Sequence, residues 1–496
     1  MTSQSNAVRT PFSETVPIKE KLSYAFTNTG QTMIYGLFNM LMMFMTDYLV
    51  IPSAVAGLII SIARIYDGLI DPYIGTIVDK TKSKWGKCRP YMLFTPIPVA
   101  IVAMVLFAPT GLSGAAAIPY AIIFYFLFTT VYSINDIPYW SMSAVISSNP
   151  KERVNIVTMT RIIGGCGSAI TIGLFWTVKR LFGDYAGTGD HMSFFLAVVC
   201  FSVIGAAVMM QGFFNTKERA VCREKKESII NNFKYVFKCR PLVLNIIGGA
   251  LYSVVVIGTS ALTTYFVKWN MKELFPSTNS DKIMSIFTPV IGILPAIASV
   301  LGILLVPLLI KKFEKRTLLV GVCAIGVVGN VISYFAGYSN LYVFLILRFV
   351  SFLPVGVWSG VTTLMIGDSV DFIEHKYGRR LEGTCFSILT FMGNFQNSIS
   401  IAIVGLILTF VGYNGNLDPN LQQQSPLTLQ GIFVMVTLVA ALGYLLSLIP
   451  FLFYNFTDKQ HKEISEQNRL RRAEQNMENE DGEDGCAPTD TPDISE

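Results

Sequence analysis

Long apolar runs alternate with short polar segments along almost the whole chain. A helix that crosses a lipid bilayer needs about 20 mostly apolar residues, and twelve runs reach that length. This pattern predicts an all-α polytopic membrane protein with twelve transmembrane helices. The predicted spans are 24–50, 53–78, 91–110, 117–146, 157–182, 192–214, 242–267, 284–310, 317–337, 341–366, 383–412 and 428–455.

The longest charged segment between two spans, 215–241, divides the chain into two sets of six. We predict a cytoplasmic N-terminal segment, a six-helix bundle, a central cytoplasmic loop, a second six-helix bundle and a polar tail, disordered because it holds few apolar residues. The bounds of these regions are 1–23, 24–214, 215–241, 242–455 and 456–496. Two six-helix bundles around a charged loop are typical of the major facilitator fold, whose halves rock about a midplane site.

Composition agrees with a membrane protein, because 52% of the 496 residues are hydrophobic and 14% are charged, against about 25% charged in soluble domains. The eight cysteines show no paired spacing, so we predict neither a disulfide nor a structural metal site. The three histidines lie outside the predicted spans, and no nucleophile triad or phosphate-binding loop is recognisable. We therefore predict that the protein is not an enzyme and needs no cofactor.

Lysine and arginine concentrate in the loops that follow even-numbered spans, and such loops stay in the cytoplasm. The loop after span two contains Lys80, Lys82, Lys84, Lys87 and Arg89. The loops on the other side contain Lys268, Lys272 and Lys282. We predict a multi-pass protein of the cell membrane with both termini in the cytoplasm.

Charged residues inside a span are costly and usually line a cavity or pair with each other. Arg64, Asp67 and Asp71 follow each other at spacings of three and four, so they share one face of the span-two helix. In one interpretation they are structural ion pairs. However, one arginine can neutralise one carboxylate only, and two adjacent carboxylates need a further counter-cation. The pattern therefore favours an exchangeable Na⁺ or H⁺ at this face.

A second set of polar residues lies in spans four and five. Asp136 has Tyr132 and Trp140 one helical turn to either side, and Arg161 lies near the start of span five. An aromatic face beside charged hydrogen-bonding groups suits a sugar. The alternative is that the aromatic residues only anchor the helix at the membrane interface.

Three segments resemble a known family. DGLIDPYIGTIVDKTKSKWGKCRP at 67–90, NDIPYWS at 135–141 and DSVDFIEHKYGRRLEG at 368–383 are similar, in this order, to signatures of the glycoside–pentoside–hexuronide:cation symporters. This family is a branch of the major facilitator superfamily that includes the melibiose permease. The resemblance implies cation-coupled sugar symport by alternating access.

The resemblance also implies roles for individual residues. The implied cation-binding residues are Asp67, Asp71, Ser133 and Arg64. The implied sugar-binding residues are Tyr132, Asp136, Trp140, Arg161 and Thr390. The implied cytoplasmic gate consists of loop charges that would close the inward path through ion pairs, namely Asp79, Lys80, Arg89, Asp368, Asp371, Glu374 and Arg380.

The chain departs from the family pattern at four positions. Ile70 stands where the sodium-using melibiose permease has an asparagine, which favours H⁺ over Na⁺ as the coupling ion. Asn28, Thr32 and Asn394 stand where the family or that permease has an aspartate, a sugar-binding carboxylate and a lysine. Fewer charges favour a neutral glycoside or pentoside, although Arg161 could also serve an anionic sugar.

Amide groups can bond sugar hydroxyls as donor or acceptor, which applies to Asn28, Gln31 and Asn394. Asn28 and Asn394 join the predicted substrate site. Trp358 in span ten is predicted as a second stacking surface. Two other functions remain open, namely a carrier of the same fold for an amphiphile such as a lysolipid, and a non-transporting sensor. We expect a monomer whose partners are a small-molecule sugar, a coupling cation and the lipid bilayer, with no nucleic acid.

Overall fold

The computed structural model describes residues 16–81, 83–147, 150–218, 238–256, 261–378 and 382–484. Its described elements are helices, which we number in chain order. They are α1 (Ile18–Leu37), α2 (Ser53–Lys80), α3 (Arg89–Phe94), α4 (Pro96–Leu106), α5 (Ala117–Val145), α6 (Pro150–Ala186), α7 (Asp190–Asn215), α8 (Arg240–Val256), α9 (Ala261–Leu274), α10 (Ser280–Leu309), α11 (Lys315–Ala336), α12 (Leu341–Tyr377), α13 (Glu382–Phe410), α14 (Pro426–Val434), α15 (Ala440–Leu452) and α16 (Asp458–Asp484).

Each of the twelve predicted spans corresponds to helical structure. Within the described residues, eight helical segments are long and apolar enough to cross a membrane unaided. The other four predicted spans lie in helices that are shorter or interrupted within the described residues. They correspond to α1 with its continuation, α3 with α4, α8 with α9, and α13. The prediction of an all-α membrane protein is confirmed.

Some helices change geometry within the membrane. The first span continues from α1 through a 3₁₀ segment at Phe38–Met40 and a short turn to a π-helix at Phe44–Tyr48. A second π-helix, Met435–Val439, joins α14 to α15. Its Val436 carbonyl accepts a hydrogen bond of 2.7 Å from the buried Arg348 guanidinium. Such π-helical turns release backbone groups from the regular ladder and often occur at functional sites.

The two halves of the chain meet along two pairs of helices, α2 with α13 and α6 with α10. Glycines bring the first pair into backbone contact. A Cβ atom at Gly57 would lie 3.0 Å from the Ile401 carbonyl oxygen, and one at Gly405 would lie 2.4 Å from the Ser53 carbonyl oxygen. Small residues permit this approach of membrane helices. The helix that carries Asp67 and Asp71 therefore touches the second half directly.

The predicted disorder of the tail is wrong for residues 458–484, which form α16. This helix packs on α12 through polar contacts. The His461 ring nitrogen lies 3.1 Å from Asp371 Oδ2, and Asn468 Nδ2 donates to the Asp371 carbonyl at 2.9 Å. Lys315 lies 3.4 Å from Asp458. Hydrogen bonds and ion pairs order the start of the tail although it has few apolar residues.

Candidate functional site: a cation and sugar site in the first half

The face of α2 presents Arg64, Asp67 and Asp71, all half-buried. The Ser133 hydroxyl, on α5, donates a hydrogen bond of 2.7 Å to Asp67 Oδ1. The Arg64 guanidinium donates to the Tyr35 hydroxyl, and its carbon lies 4.9 Å from the centroid of the Tyr35 ring. Arg64 is thus turned towards α1.

Among the residues that the structure describes, neither carboxylate forms an ion pair, because no lysine, arginine or histidine nitrogen lies within 4.0 Å of an oxygen of Asp67 or Asp71. Two carboxylates one helical turn apart repel each other unless a positive charge or a proton is shared between them. This arrangement suits the reversible binding of a cation.

Asp136, on α5, is held by a neutral amide. Gln31 Nε2 donates a hydrogen bond of 2.7 Å to Asp136 Oδ1, and Asn28 Nδ2 donates one of 3.0 Å to Gln31 Oε1. Gln31 and Asn28 are both buried. A chain of hydrogen bonds therefore runs from α1 to the carboxylate of α5. Asn28, whose role in substrate binding remains a prediction, supports Gln31 through this hydrogen bond.

Trp140 and Arg161 form the aromatic part of the site. The Arg161 guanidinium carbon lies 5.2 Å from the centroid of the Trp140 ring, within range of a cation–π contact. Arg161 is exposed, which leaves its donors open to a ligand. The Trp140 ring packs edge-on against Tyr139, which in turn stacks on Tyr24 at 4.6 Å. Stacked aromatic rings thus fix the orientation of Trp140.

Tyr132 joins the two sets of residues. Its ring lies 5.3 Å from the ring of Tyr35, which accepts the hydrogen bond from Arg64. The predicted cation residues and the predicted sugar residues of α2, α5 and α6 therefore adjoin through α1. Arg64, on the same helix face as the two carboxylates, thus connects through Tyr35 to Tyr132 of the predicted sugar site.

Glycines in α6 allow this helix to pack tightly on α1. A Cβ atom at Gly164 would lie 1.8 Å from Asn28 Oδ1, and one at Gly167 would lie 2.1 Å from the Thr29 carbonyl oxygen. Thr32 donates a hydrogen bond of 2.5 Å to the Gly164 carbonyl. Close packing of α1 and α6 thereby places Asn28 where it supports Gln31.

The second half of the chain contributes fewer described side chains to the candidate sugar site than predicted. Trp358 is only 8% exposed, and its ring stacks on Tyr252 with 3.8 Å between centroids and 5° between planes. One face of the indole is covered and the ring belongs to the core of the second half, so the prediction of Trp358 as an open stacking surface is wrong for this conformation. The side chains of Thr390 and Asn394 lie outside the described residues.

Three of the predicted gate charges, Asp368, Asp371 and Arg89, contact groups of their own half. Lys315 on α11 lies 2.5 Å from Asp368 on α12, and His461 of the tail contacts Asp371. Arg89 donates to the Phe213 carbonyl at 2.8 Å, within the first half. The expected closure between halves is therefore absent from these described contacts. Lys80 is exposed and Glu374 half-buried, whereas the Asp79 side chain and Arg380 lie outside the described residues.

Two functional candidates could not be recognised from the sequence. Asp47 and Lys179 stand near the ends of apolar runs, where charges are common, and their partners are far away in the sequence. Lys268 Nζ lies 2.5 Å from Asp47, and Lys179 Nζ lies 2.7 Å from Asp281.

Comparisons with known proteins point in one direction. The family described as MFS/sugar transport protein matches residues 23–458. The isoprimeverose transporter of Lactiplantibacillus pentosus is 29% identical over 91% of each chain. A protein of Escherichia coli (strain K12), provisionally named glycoside/cation symporter YagG, is 26% identical over 92% of this chain and 96% of its own.

Solved structures agree on the fold. A bacterial homologue of the human lysosomal transporter Spinster superposes with a TM-score of 0.67 at 12% identity, over 91% of this chain and 99% of its own. The nucleoside transporter NupG gives a TM-score of 0.60 at 15% identity, over 87% of this chain and 99% of its own. Both are transporters of known structure, and at this identity they establish the fold alone.

Proposed function

The chain belongs to the MFS/sugar transport protein family, and from this premise we propose that it carries a neutral glycoside or pentoside together with H⁺. As a family member it is a multi-pass membrane transporter that couples sugar movement to a cation. The observation that carries the finer proposal is the pair Asp67 and Asp71, which faces α5 with a serine hydroxyl as a partner and without a lysine or arginine within ion-pair distance among the described residues.

The proton is preferred over a metal cation because the site offers few ligands. Hard metal cations take about six oxygen ligands. The two carboxylates and Ser133 provide fewer among the described side chains. A proton needs one carboxylate and a hydrogen-bond partner only. Ile70, beside Asp71, is partly buried in an apolar cluster and contributes no ligand.

The sugar would bind where Trp140 and Arg161 meet Asp136. The planar guanidinium donates hydrogen bonds in a fixed fork, and the free acceptor positions of Asp136 take hydroxyl protons. Trp140 supplies an aromatic face for the C–H side of the sugar ring. The name of the isoprimeverose transporter supports a sugar of this kind. Since these residues belong to one chain, a monomer suffices.

Coupling follows from shared neighbours. Protonation of the α2 pair removes negative charge near Asp136, which favours sugar binding there, and linkage requires that sugar raises the proton affinity by the same factor. A monovalent cation moving down the membrane potential supplies about 2.3 kcal/mol per 100 mV. At about 1.4 kcal/mol per tenfold, this supports roughly a 50-fold sugar gradient.

The orientation completes the proposal. The loops rich in lysine and arginine, which we call the basic end, would face the cytoplasm because such loops are retained there. Val16, at the start of the described residues, bonds Glu152 at this end, and α16 contacts α12 there. The end that carries Asp47, Lys179 and Lys268, which we call the opposite end, would then face outwards.

The test is uptake of a panel of labelled sugars into proteoliposomes with an imposed pH gradient, an imposed Na⁺ gradient, or neither. We expect accumulation driven by the pH gradient. Asp67→Asn should abolish accumulation but retain exchange of sugar across the membrane. Asp184→Asn, which removes a carboxylate with a largely exposed side chain on α6, is the matched control. Continued accumulation by Asp67→Asn would overturn the proposal, and accumulation driven only by Na⁺ would overturn the choice of ion.

A further inference from the structure

The opposite end of the molecule contains a polar cavity of about 550 Å³. Residues of both halves line it, among them Asp47, Lys179 and Asp190 from the first half and Lys268 and Asp281 from the second. These charges take no part in the proposed cation and sugar site. They form two separate ion-pair clusters that cross between the halves.

The first cluster is centred on Asp47, whose side chain is only 3% exposed. Lys268 on α9 lies 2.5 Å from Asp47 Oδ2, and the Tyr413 hydroxyl donates to Oδ1 at 2.8 Å. Both partners belong to the second half. Thr46, in the same π-helical turn, donates to Oδ1 at 2.7 Å and contacts the Tyr265 hydroxyl at 2.8 Å. One carboxylate thus ties the end of the first span to two segments of the other half.

The second cluster is centred on Lys179, whose side chain is 2% exposed. Its ammonium contacts Asp190, at the start of α7 in its own half, and lies 2.7 Å from Asp281 on α10 of the other half. Arg180, the next residue, donates to the Ser285 hydroxyl at 3.1 Å. The α6–α10 contact is therefore closed by polar groups at this end.

We propose that Lys268–Asp47 and Lys179–Asp281 are the two locks of a gate that closes the opposite end and opens in each transport cycle. This inference rests on the proposed alternating access of the two halves. The ion pairs described at the basic end, such as Lys21–Glu152 and Lys315–Asp368, each join elements of one half. The bridging pairs of the opposite end hold the conformation seen here.

When the ion pairs separate, Lys179, Asp47 and Lys268 each keep another interaction partner. A permanent cross-link would not need such partners. A buried charge that loses its only partner costs several kcal/mol. Lys179 keeps Asp190 in its own half, and Asp47 keeps the Thr46 hydroxyl. Lys268 keeps the Trp269 ring, whose centroid lies 5.5 Å away. The adjoining polar cavity is roomy enough for water, which hydrates the separated charges.

Lys179 offers a sharp test because its two carboxylates lie in different halves. Asp281→Asn removes the bond across the gate, whereas Asp190→Asn removes a bond within the first half. The reporter is a cysteine at Met284, which lines the cavity, in a background with Cys166 and Cys200 replaced by serine. Its reaction with a membrane-impermeant maleimide is measured from each side of oriented vesicles.

We expect Asp281→Asn to increase the rate of labelling from the opposite end by about tenfold or more. A change of about 1.4 kcal/mol in the free-energy difference between the closed and the open state produces a shift of this size. Asp190→Asn should stay within about twofold of the parent. Asp47→Asn should act like Asp281→Asn. Lys272→Gln is the control, since Lys272 is a buried lysine on the same helix as Lys268 that bonds the Pro276 and Thr278 carbonyls instead.

Equal labelling rates in Asp281→Asn and Asp190→Asn, whether fast or slow, would overturn the inference. Should either variant fail to insert, the double variant Asp47→Asn/Lys268→Gln carries the same test. Faster labelling supports the lock, and an unchanged rate refutes it. The assay uses neither sugar nor a cation gradient. The labelling result is therefore separate from sugar uptake. A protein that takes up no sugar can still show the expected difference in labelling rates, and a protein that transports sugar can fail to show it.

Discussion

Gln31 donates its amide proton to Asp136 across the contact between α1 and α5, over 2.7 Å. The amide oxygen of Gln31 is in turn occupied by Asn28, so the donor is aimed in one direction only. Asp136 consequently keeps a fixed rotamer without the presence of a cation. This leaves its remaining lone pairs for a ligand.

The first prediction concerns this relationship. Gln31→Met removes the donor while keeping much of the volume, and it leaves the half-buried Asp136 without its amide partner. A hydrogen bond to a charged group contributes about 1.5–3 kcal/mol, so we expect sugar affinity to fall by about tenfold or more in calorimetric titration. Gln211→Met, an amide at the basic end that bonds Ser23, is the control. Unchanged affinity in Gln31→Met would show that Asp136 needs no positioning.

The second prediction concerns the hydroxyl at the cation site. Ser133→Ala removes the donor to Asp67 and should change the dependence of uptake on the coupling ion. With one hydrogen bond contributing about 1 kcal/mol, the ion concentration for half-maximal uptake should shift by about fivefold, whereas the maximal rate changes less. Ser143→Ala on the same helix, whose hydroxyl bonds the Trp140 carbonyl, should leave this concentration unchanged. A shift shared by both variants would point to a general effect on α5.

The third prediction distinguishes the positive charge of Arg161 from the planar shape of its guanidinium. Arg161→Lys keeps the positive charge but loses the planar fork and its fit to the Trp140 ring. We expect sugar affinity to fall by about tenfold or more, with normal expression. Arg153→Lys, near the start of the same helix, is the control. A site in which Arg161 acts as a simple charge would bind sugar equally well after the change.

The fourth prediction uses two adjacent glycines of α6. Gly164→Ala places a methyl group 1.8 Å from Asn28 Oδ1, whereas Gly165→Ala meets no atom within 4 Å. Overpacking typically costs about 1–3 kcal/mol, so the thermal midpoint of purified Gly164→Ala should fall while that of Gly165→Ala stays at or above the parent value. If both variants melted alike, the close packing of α1 and α6 would not be needed.

The helical architecture could be predicted from the sequence because hydrophobic length alone reports membrane spans. The α2 face was also predictable, since Asp67 and Asp71 lie within one helix and their spacing fixes their common side. Contacts between distant segments were not. Asp47, in a π-helical turn, meets Lys268 across a separation of 221 residues, and Lys179 meets Asp281 across a separation of 102.

The departures from prediction have physical causes of the same kind. Trp358 was expected to be open because its type suits sugar stacking, but Tyr252 covers it in the folded chain. The tail was expected to be disordered because it lacks apolar residues, but acceptors on α12 hold its first turns. The roles assigned to the individual site residues remain predictions, which the variants above examine.

The backbone contact between Gly57 and Gly405 has a mechanical consequence. It gives α2 a pivot on the other half of the molecule, ten residues before Asp67. At 1.5 Å of rise per residue the arm is about 15 Å long, so tilting α2 by about 10° about this pivot moves Asp67 by roughly 2.6 Å. A displacement of that size relative to α5 exceeds the reach of the 2.7 Å hydrogen bond from Ser133 to Asp67, so such a rotation would break this bond.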